Sequence, residues 1–309
     1  MSEEKKLKPI TQIYGVLPPE INELKRGGGD HSDNPLALYE DYISFIGESR
    51  NANGEIIRGR IWEDMKSLSM PTELSDEFAG LYIHGGHKEL TLEHHEPAFA
   101  SFRKFSKKLY PLYFFYASRP DQSDEAMEKL VSKYAPVEVI KIPPIDGLYD
   151  YSKFMIWEAF QTLPEKHEKV LTFQHDGFLK GMGWEDWVNE HDPDFVGAPW
   201  WDALEPDAIS FKDTSKFKPA PDRKIRIGNG GFSFRKRSKM LQVASMITVD
   251  DIEWTGMRNG KPCHDLEDGI VCQIGFNEGI FKEIDPKVAR EFAAEPYNTI
   301  EGIGFHGFI

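Results

Sequence analysis

Short apolar runs and stretches of helical spacing alternate along the middle of this chain. Leu81-Tyr-Ile-His84 is an apolar run stopped by Gly85-Gly86, which predicts a strand ending in a tight loop. Phe99, Phe102, Phe105 and Leu109 recur at helical spacing and predict a helix from Pro97 to Tyr110. Leu112 to Ala117 predicts a second strand, and Asp124 to Tyr134 a helix capped by Ser123. Val137 to Ile142, closed by Pro143-Pro144, predicts a third strand. Tyr151 to Leu163 follows as a helix and Lys169 to Phe173 as a fourth strand. Strands alternating with helices over short turns imply an α/β fold, a βαβ array on a mainly parallel sheet.

The pattern changes on either side. After His175 the loops lengthen, tryptophans gather at Trp184, Trp187, Trp200 and Trp201, and Asp202 to Arg223 is polar and proline-punctuated. A sheet whose regular winding gives way to loops places its ligand site there, beyond the carboxyl ends of the strands. Residues 1–78, with Gly27-Gly28-Gly29 and one predicted helix from Pro35 to Ile46, are expected to be an appended, partly helical segment. The expected division is therefore 1–78 and 79–309, the latter split into 79–179 and 180–309.

Charge narrows the function classes. The 309 residues carry 37 Lys and Arg against 51 Asp and Glu, a formal net charge of −14. That balance argues against nucleic acid or an anionic membrane surface as the main partner. No apolar run reaches the roughly 18 residues of a membrane-spanning helix, and no signal-like apolar stretch follows Met1. The only cysteines are Cys263 and Cys272, so a reducing, cytoplasmic setting is expected, peripheral to a membrane at most.

Four motifs carry candidate chemistry. In Gln174-His175-Asp176-Gly177 an acid stands where an apolar strand runs out, and a carboxylate there can hold a hard divalent cation. The bland reading is a strand-ending Asx-turn. Gly228-Asn229-Gly230-Gly231 allows close backbone approach to a ligand, or is a glycine-rich turn leading into a strand. Glu267-Asp268 opens a predicted helix, where acids favour the dipole but are also placed to act as a general base. Gly302-Ile-Gly304-Phe-His306-Gly307 has the spacing of a dinucleotide fingerprint without the helix that must follow it. His306 is then a candidate ligand-facing imidazole. His84-Gly85-Gly86-His87 lacks a partner nucleophile elbow, and Cys263, His264 and Cys272 do not complete a zinc set.

Taken in order, these pieces resemble the GT-A-fold glycosyltransferases, in particular a branch associated with surface-glycan and capsule biosynthesis. The resemblance runs from about residue 80 to 309. It implies a Rossmann-like nucleotide-binding half and a loop-rich acceptor half. It implies that Asp176 and His306 bind Mn²⁺ or Mg²⁺, with Gln174 standing where a first acid often stands. It makes Asp268 the base of an inverting transfer, with Glu267 in reserve. Gln174, His175, Asp176, His84, Gly85, Gly86, Gly230 and Gly231 would line the donor site. Asn229, Trp200 and Trp201 would meet the substrate, with Trp184 and Trp187 as further stacking candidates, core or loop packing being an equal alternative for each tryptophan. The implied partners are a nucleotide-sugar donor and a glycan acceptor. A metal-dependent hydrolase of nucleotide or phosphate esters and a non-catalytic glycan-binding module fit the same residues as alternatives.

Overall fold

In the computed structural model the described residues are 65–86, 90–120, 122–204, 211–212, 225–252, 256–258, 261–263, 266–294 and 302–306, with short strands at 49–50 and 56–57. The predicted helix from Pro35 to Ile46, and most of the segment 1–78, lie outside them. Of that segment, Met65 is buried within the core cluster that also holds Phe99 and Phe102.

Six strands form the central sheet. They are β1 (Phe78–His84), β2 (Leu112–Tyr116), β3 (Val137–Lys141), β4 (Lys169–Phe173), β6 (Phe195–Gly197) and β7 (Phe232–Lys236). Their spatial order is β3-β2-β1-β4-β7-β6. The first four are mutually parallel, and β7 runs antiparallel to both β4 and β6. β1 and β2 are buried along their whole length, because helices cover both faces. Successive residues of β1 serve opposite layers: Phe78 and Tyr82 join one core cluster, Ala79, Leu81 and Ile83 the other. A side chain at Gly80 would start 2.8 Å from Leu112 Cδ1 and from the Phe102 ring.

One layer holds α1 (Leu92–Lys104), α2 (Glu125–Lys133), α4 (Trp184–His191) and α7 (Pro286–Phe292). The other holds α3 (Leu148–Phe154), α5 (Arg237–Met246) and α6 (Glu267–Asn277). α3 continues as a π-helical turn, Met155–Ala159, and ends at Thr162. A small satellite sheet joins β5 (Gly177–Leu179), β8 (Ala293–Ala294) and β9 (Gly304–His306), in the order β8-β9-β5.

All four predicted strands of the parallel part are present. Their helices differ at the ends. α1 starts at Leu92, five residues before the expected Pro97, which lies inside the helix. It stops at Lys104 instead of running to Tyr110, because Arg103 holds the Tyr110 carbonyl and the chain folds back beneath the helix. α3 starts at Leu148, after Gly147 at φ 97°. At α2 the cap position is Asp124, and Ser123 Oγ accepts from the Glu125 amide at 3.2 Å.

Strand order fixes where a ligand crevice opens. The chain leaves β1 toward β2 and β3, then returns to lay β4 against the other side of β1. Such a reversal leaves a crevice at the carboxyl ends of the two diverging strands. Those ends are His84 of β1 and Phe173 of β4, the latter leading directly into Gln174-His175-Asp176.

Candidate functional site

Asp176 sits in the turn between β4 and β5, a turn closed by the Gly177 amide donating to the Gln174 carbonyl at 3.0 Å. Pairing of β9 with β5 sets His306 opposite Gly177. The outcome is His306 Nε2 at 3.4 Å from Asp176 Oδ2, with His175 Nδ1 at 3.9 Å from Oδ1. Asp176 is buried, and its Oδ1 has no hydrogen-bond partner among the described residues. An Asx-turn would use that oxygen on a local amide, so the bland reading of Asp176 does not describe this turn. A carboxylate oxygen withdrawn from water without a donor is costly, and the arrangement suits an incoming cation.

The glycine-rich segment links this acid to the second pair. A methyl group at Gly231 would lie 1.9 Å from His306 Nε2, so the imidazole rests directly on the bare backbone. One residue earlier, a methyl at Gly230 would lie 2.4 Å from Glu267 Oε1 and 3.2 Å from the Asp268 Cβ. These two glycines therefore make room for protein groups at successive positions of the loop. Their amides are also engaged: Gly230 donates to Asp268 Oδ2 at 3.1 Å and Gly231 to Asn229 Oδ1 at 3.0 Å. The Gly231 carbonyl accepts from the Gln174 amide at 3.0 Å, tying the loop to the Asp176 turn. Gln174 Nε2 donates to Tyr151 Oη at 2.6 Å.

Glu267 and Asp268 open α6, as the sequence implies. Burial, then the neighbouring Glu267 charge, push the Asp268 carboxyl up to about 7, against the pull of the Gly269 and Gly230 amides and Arg235. Glu267 is buried and bonded by Arg235 Nη2 at 2.9 Å, and its amide donates to Ser152 Oγ at 3.1 Å. Arg235 is wholly buried. Its Nε donates to Ser233 Oγ at 2.9 Å and its Nη2 to the Gly230 carbonyl at 3.2 Å. Phe195 lies 5.0 Å and Phe160 5.9 Å beneath the guanidinium.

At the end of β1, His84 is buried with its ring stacked 5.7 Å from Tyr116. His95 of α1 lies edge-on to His84 at 4.9 Å and 5.8 Å from His175. Tyr82 shares a short hydrogen bond with His95 Nδ1, and burial aided by Asp176 raises its phenol well above the ordinary value. The Gly85 carbonyl accepts from the Ile145 amide at 3.0 Å. Gly86 has φ 78°, and its carbonyl accepts from Arg119 Nε at 2.5 Å. His87 and His264 lie outside the described residues, as do the side chains of Trp200 and Trp201.

Two stacking candidates belong elsewhere. Trp184 and Trp187 are buried, Trp184 against Phe78 at 4.8 Å and Trp187 against Phe292 at 5.0 Å. They fill the layer beneath α4 because a two-ring side chain there seals the edge of the core. Sequence reasoning gave no role to Arg235, Ser233, Tyr151 or Ser152. A signal existed for the first two, since Phe232-Ser233-Phe234-Arg235 alternates and puts both polar residues on one face of a strand covered on both sides.

A family described as proteins of unknown function, DUF5672, matches residues 136–306, more than half of the chain. The chain belongs to that family. The DUF5672 stretch holds every residue from Gln174 to His306 that converges here, and excludes the end of β1. No curated protein matches. Among solved structures, the apo crystal structure of mouse xyloside xylosyltransferase 1 shows a weak similarity, at 14% identity and a TM-score of 0.44. The match covers 77% of this chain and 98% of that one. Among the described residues of this DUF5672 protein no helix is long and apolar enough to cross a membrane.

Proposed function

We propose that this DUF5672 protein is a glycosyltransferase, moving a sugar from a nucleotide-sugar donor to a hydroxyl acceptor with inversion and with help from Mn²⁺ or Mg²⁺. The observation that carries the reading is the shared glycine loop. A buried, unsatisfied carboxylate oxygen with an imidazole stands on one side of it, and a carboxyl raised to about 7 on the other. The donor set fits a cation only in part enclosed by protein. Asp176 offers an oxygen and His306 a nitrogen, and no group of three His, Cys, Asp or Glu suited to a metal occurs among the described residues. A hard cation there would need further oxygen ligands beyond these two protein groups.

A cation held there would supply positive charge against the departing nucleoside diphosphate. The protein's own groups do the rest. Asp176 and His306 are the residues that would hold that cation. Asp268, as carboxylate, takes the acceptor hydroxyl proton onto one of its two oxygens as the new glycosidic bond forms. A base with a pKa near 7 is matched to that task at neutral pH. The Gly230 and Gly269 amides orient the carboxylate while it gains the proton. Glycine at 230 and 231 keeps the loop thin enough for both centres to approach one ligand.

The test is thermal stabilisation by a panel of nucleoside diphosphates and nucleotide sugars, with and without Mn²⁺, on the wild type and Asp176→Ala. Binding stabilises the native state by RT ln(1 + [L]/Kd), so a real donor at 100 times its Kd adds about 2.7 kcal/mol. A shift restricted to one nucleobase, dependent on metal and absent in Asp176→Ala, supports the reading. No shift with any nucleotide removes it. Release of free sugar or phosphate at full rate without acceptor would make the protein a hydrolase instead.

A further inference from the structure

We infer that Arg235 and Glu267 are a positioning pair for Asp268: the guanidinium ties the Gly230 carbonyl to the Glu267 carboxylate and so holds the loop amide and the local charge that Asp268 meets. The inference rests on the reading of Asp268 as the base, and it gives Glu267 a role other than reserve base.

Geometry carries it. Nη2 of Arg235 bonds both Glu267 Oε1 and the Gly230 carbonyl, while the amide of the same glycine, at the other end of the residue, donates to Asp268 Oδ2. Ser233 Oγ receives Nε of the same guanidinium and itself donates to the Gly230 carbonyl at 3.2 Å. Phe195 and Phe160 close the guanidinium off from other partners. Glu267 cannot serve as base without breaking a fully buried ion pair whose side chains are 0% and 5% exposed. Breaking such a pair strands a charge away from water.

Among the described residues, the groups facing Asp268 are Glu267 and Cys272 on α6, Arg235 on β7 and Tyr151 on α3, besides the Gly230 and Gly269 amides. Cys272 and Tyr151 are held as neutral acids by burial, which raises both. Among the described residues, that leaves two charges acting on Asp268, one of each sign. Glu267 makes its ionised form less favourable and Arg235 makes it more favourable. A purely structural pair would respond alike to the loss of either partner. An electrostatic positioning pair responds with opposite signs.

The experiment is a ¹³C NMR titration of the Asp268 side-chain carboxyl in protein labelled at aspartate, the resonance being identified by its loss in Asp268→Asn. In Glu267→Gln the midpoint should fall from about 7 by on the order of one pH unit. In Arg235→Met it should rise, and in Arg235→Lys, which keeps the charge, it should stay near the wild type. Both partners' removal lowers stability, so stability alone decides nothing. Midpoints that move in the same direction, or a Glu267→Gln midpoint that does not move, overturn the inference. If Arg235→Met fails to fold, Glu267→Gln and Arg235→Lys decide it by the same criteria. The titration needs neither donor nor acceptor. Absence of turnover with every nucleotide sugar therefore sinks the transferase reading and leaves the pair standing. An active enzyme with an unmoved midpoint does the reverse.

Discussion

Arg103 on α1 and Arg235 on β7 are both sealed from solvent, and the two surroundings hold them differently. Arg103 donates to the backbone carbonyls of Tyr110, Tyr134 and Pro136, none of which can titrate. Burial without a carboxylate lowers its pKa to about 10, so it remains charged at neutral pH. It is a staple joining the end of α1 to the approaches of β2 and β3. Arg235 has one carboxylate as partner and a second one beside that. A buried cation facing only carbonyls fixes a shape, whereas one facing a pair of acids also fixes a charge. Arg103 works in the first way and Arg235 in the second.

That contrast breaks most sharply at Asp268. Asp268→Asn should lower the transfer rate by about 10²- to 10⁴-fold, the usual worth of a general base, while donor binding by thermal shift is retained. A variant that keeps its rate would place the base elsewhere. On the staple side, Arg103→Met should leave the chemistry of the surviving folded protein intact and lower unfolding stability by about 3 kcal/mol, since three carbonyls lose a charged donor. Arg103→Lys should not restore it, because an ammonium does not span a fork of three acceptors. Urea unfolding decides both.

Smaller effects sharpen the boundary between the two regions. Gly231→Ala pushes a methyl group into His306 and should weaken metal-dependent donor binding by about tenfold, the lower range for disturbed support of a metal ligand. Gly181→Ala, where a methyl would meet nothing within 4 Å, is the silent control. The pH profile comes next. The base must be ionised, so the rate should fall about tenfold per unit as pH drops below about 7, the value to which Asp268 is raised. A flat profile through that range removes Asp268 from the step. The smallest effect is at His167, wholly buried beside Tyr113, whose pKa burial lowers from 6.5. A lowered histidine contributes stability above its unfolded value and loses it as pH falls through the folded one. His167→Phe should therefore flatten the acid side of a melting-temperature profile that the wild type shows below about 6.5.

The same division governs what the sequence discloses. β1, β2, β3 and β4 are legible because each is a short apolar run between breakers, a local property. α1 was misplaced because Pro97 reads as a helix start, while tertiary packing and the Arg103 staple set its real limits. The individual site residues Asp176, Gly230, Gly231, Asp268 and His306 stand out by type and setting. Their juxtaposition does not, since the β9–β5 pairing and the approach of α6 to the glycine loop join distant parts of the chain. Trp184 and Trp187 show the converse: their place in a loop-rich region suits sugar stacking and core packing alike, and their indoles are core. Arg235 was visible only as half of a polar pair on one strand face, and its partner Glu267 comes from another element altogether.

The β9–β5 pairing also orders events in time. A growing chain delivers β1 to β4 and Asp176 long before it delivers His306. At a synthesis rate of roughly 5–20 residues per second, the turn at Asp176 waits on the order of ten seconds for its imidazole. Early in that interval β1 to β4 can pair with one another, while β4 still waits for β7 and Asp176 for His306. A ribosome stalled between β5 and β9 would display the turn at Asp176 before His306 exists, so a nascent chain held there cannot assemble the pair.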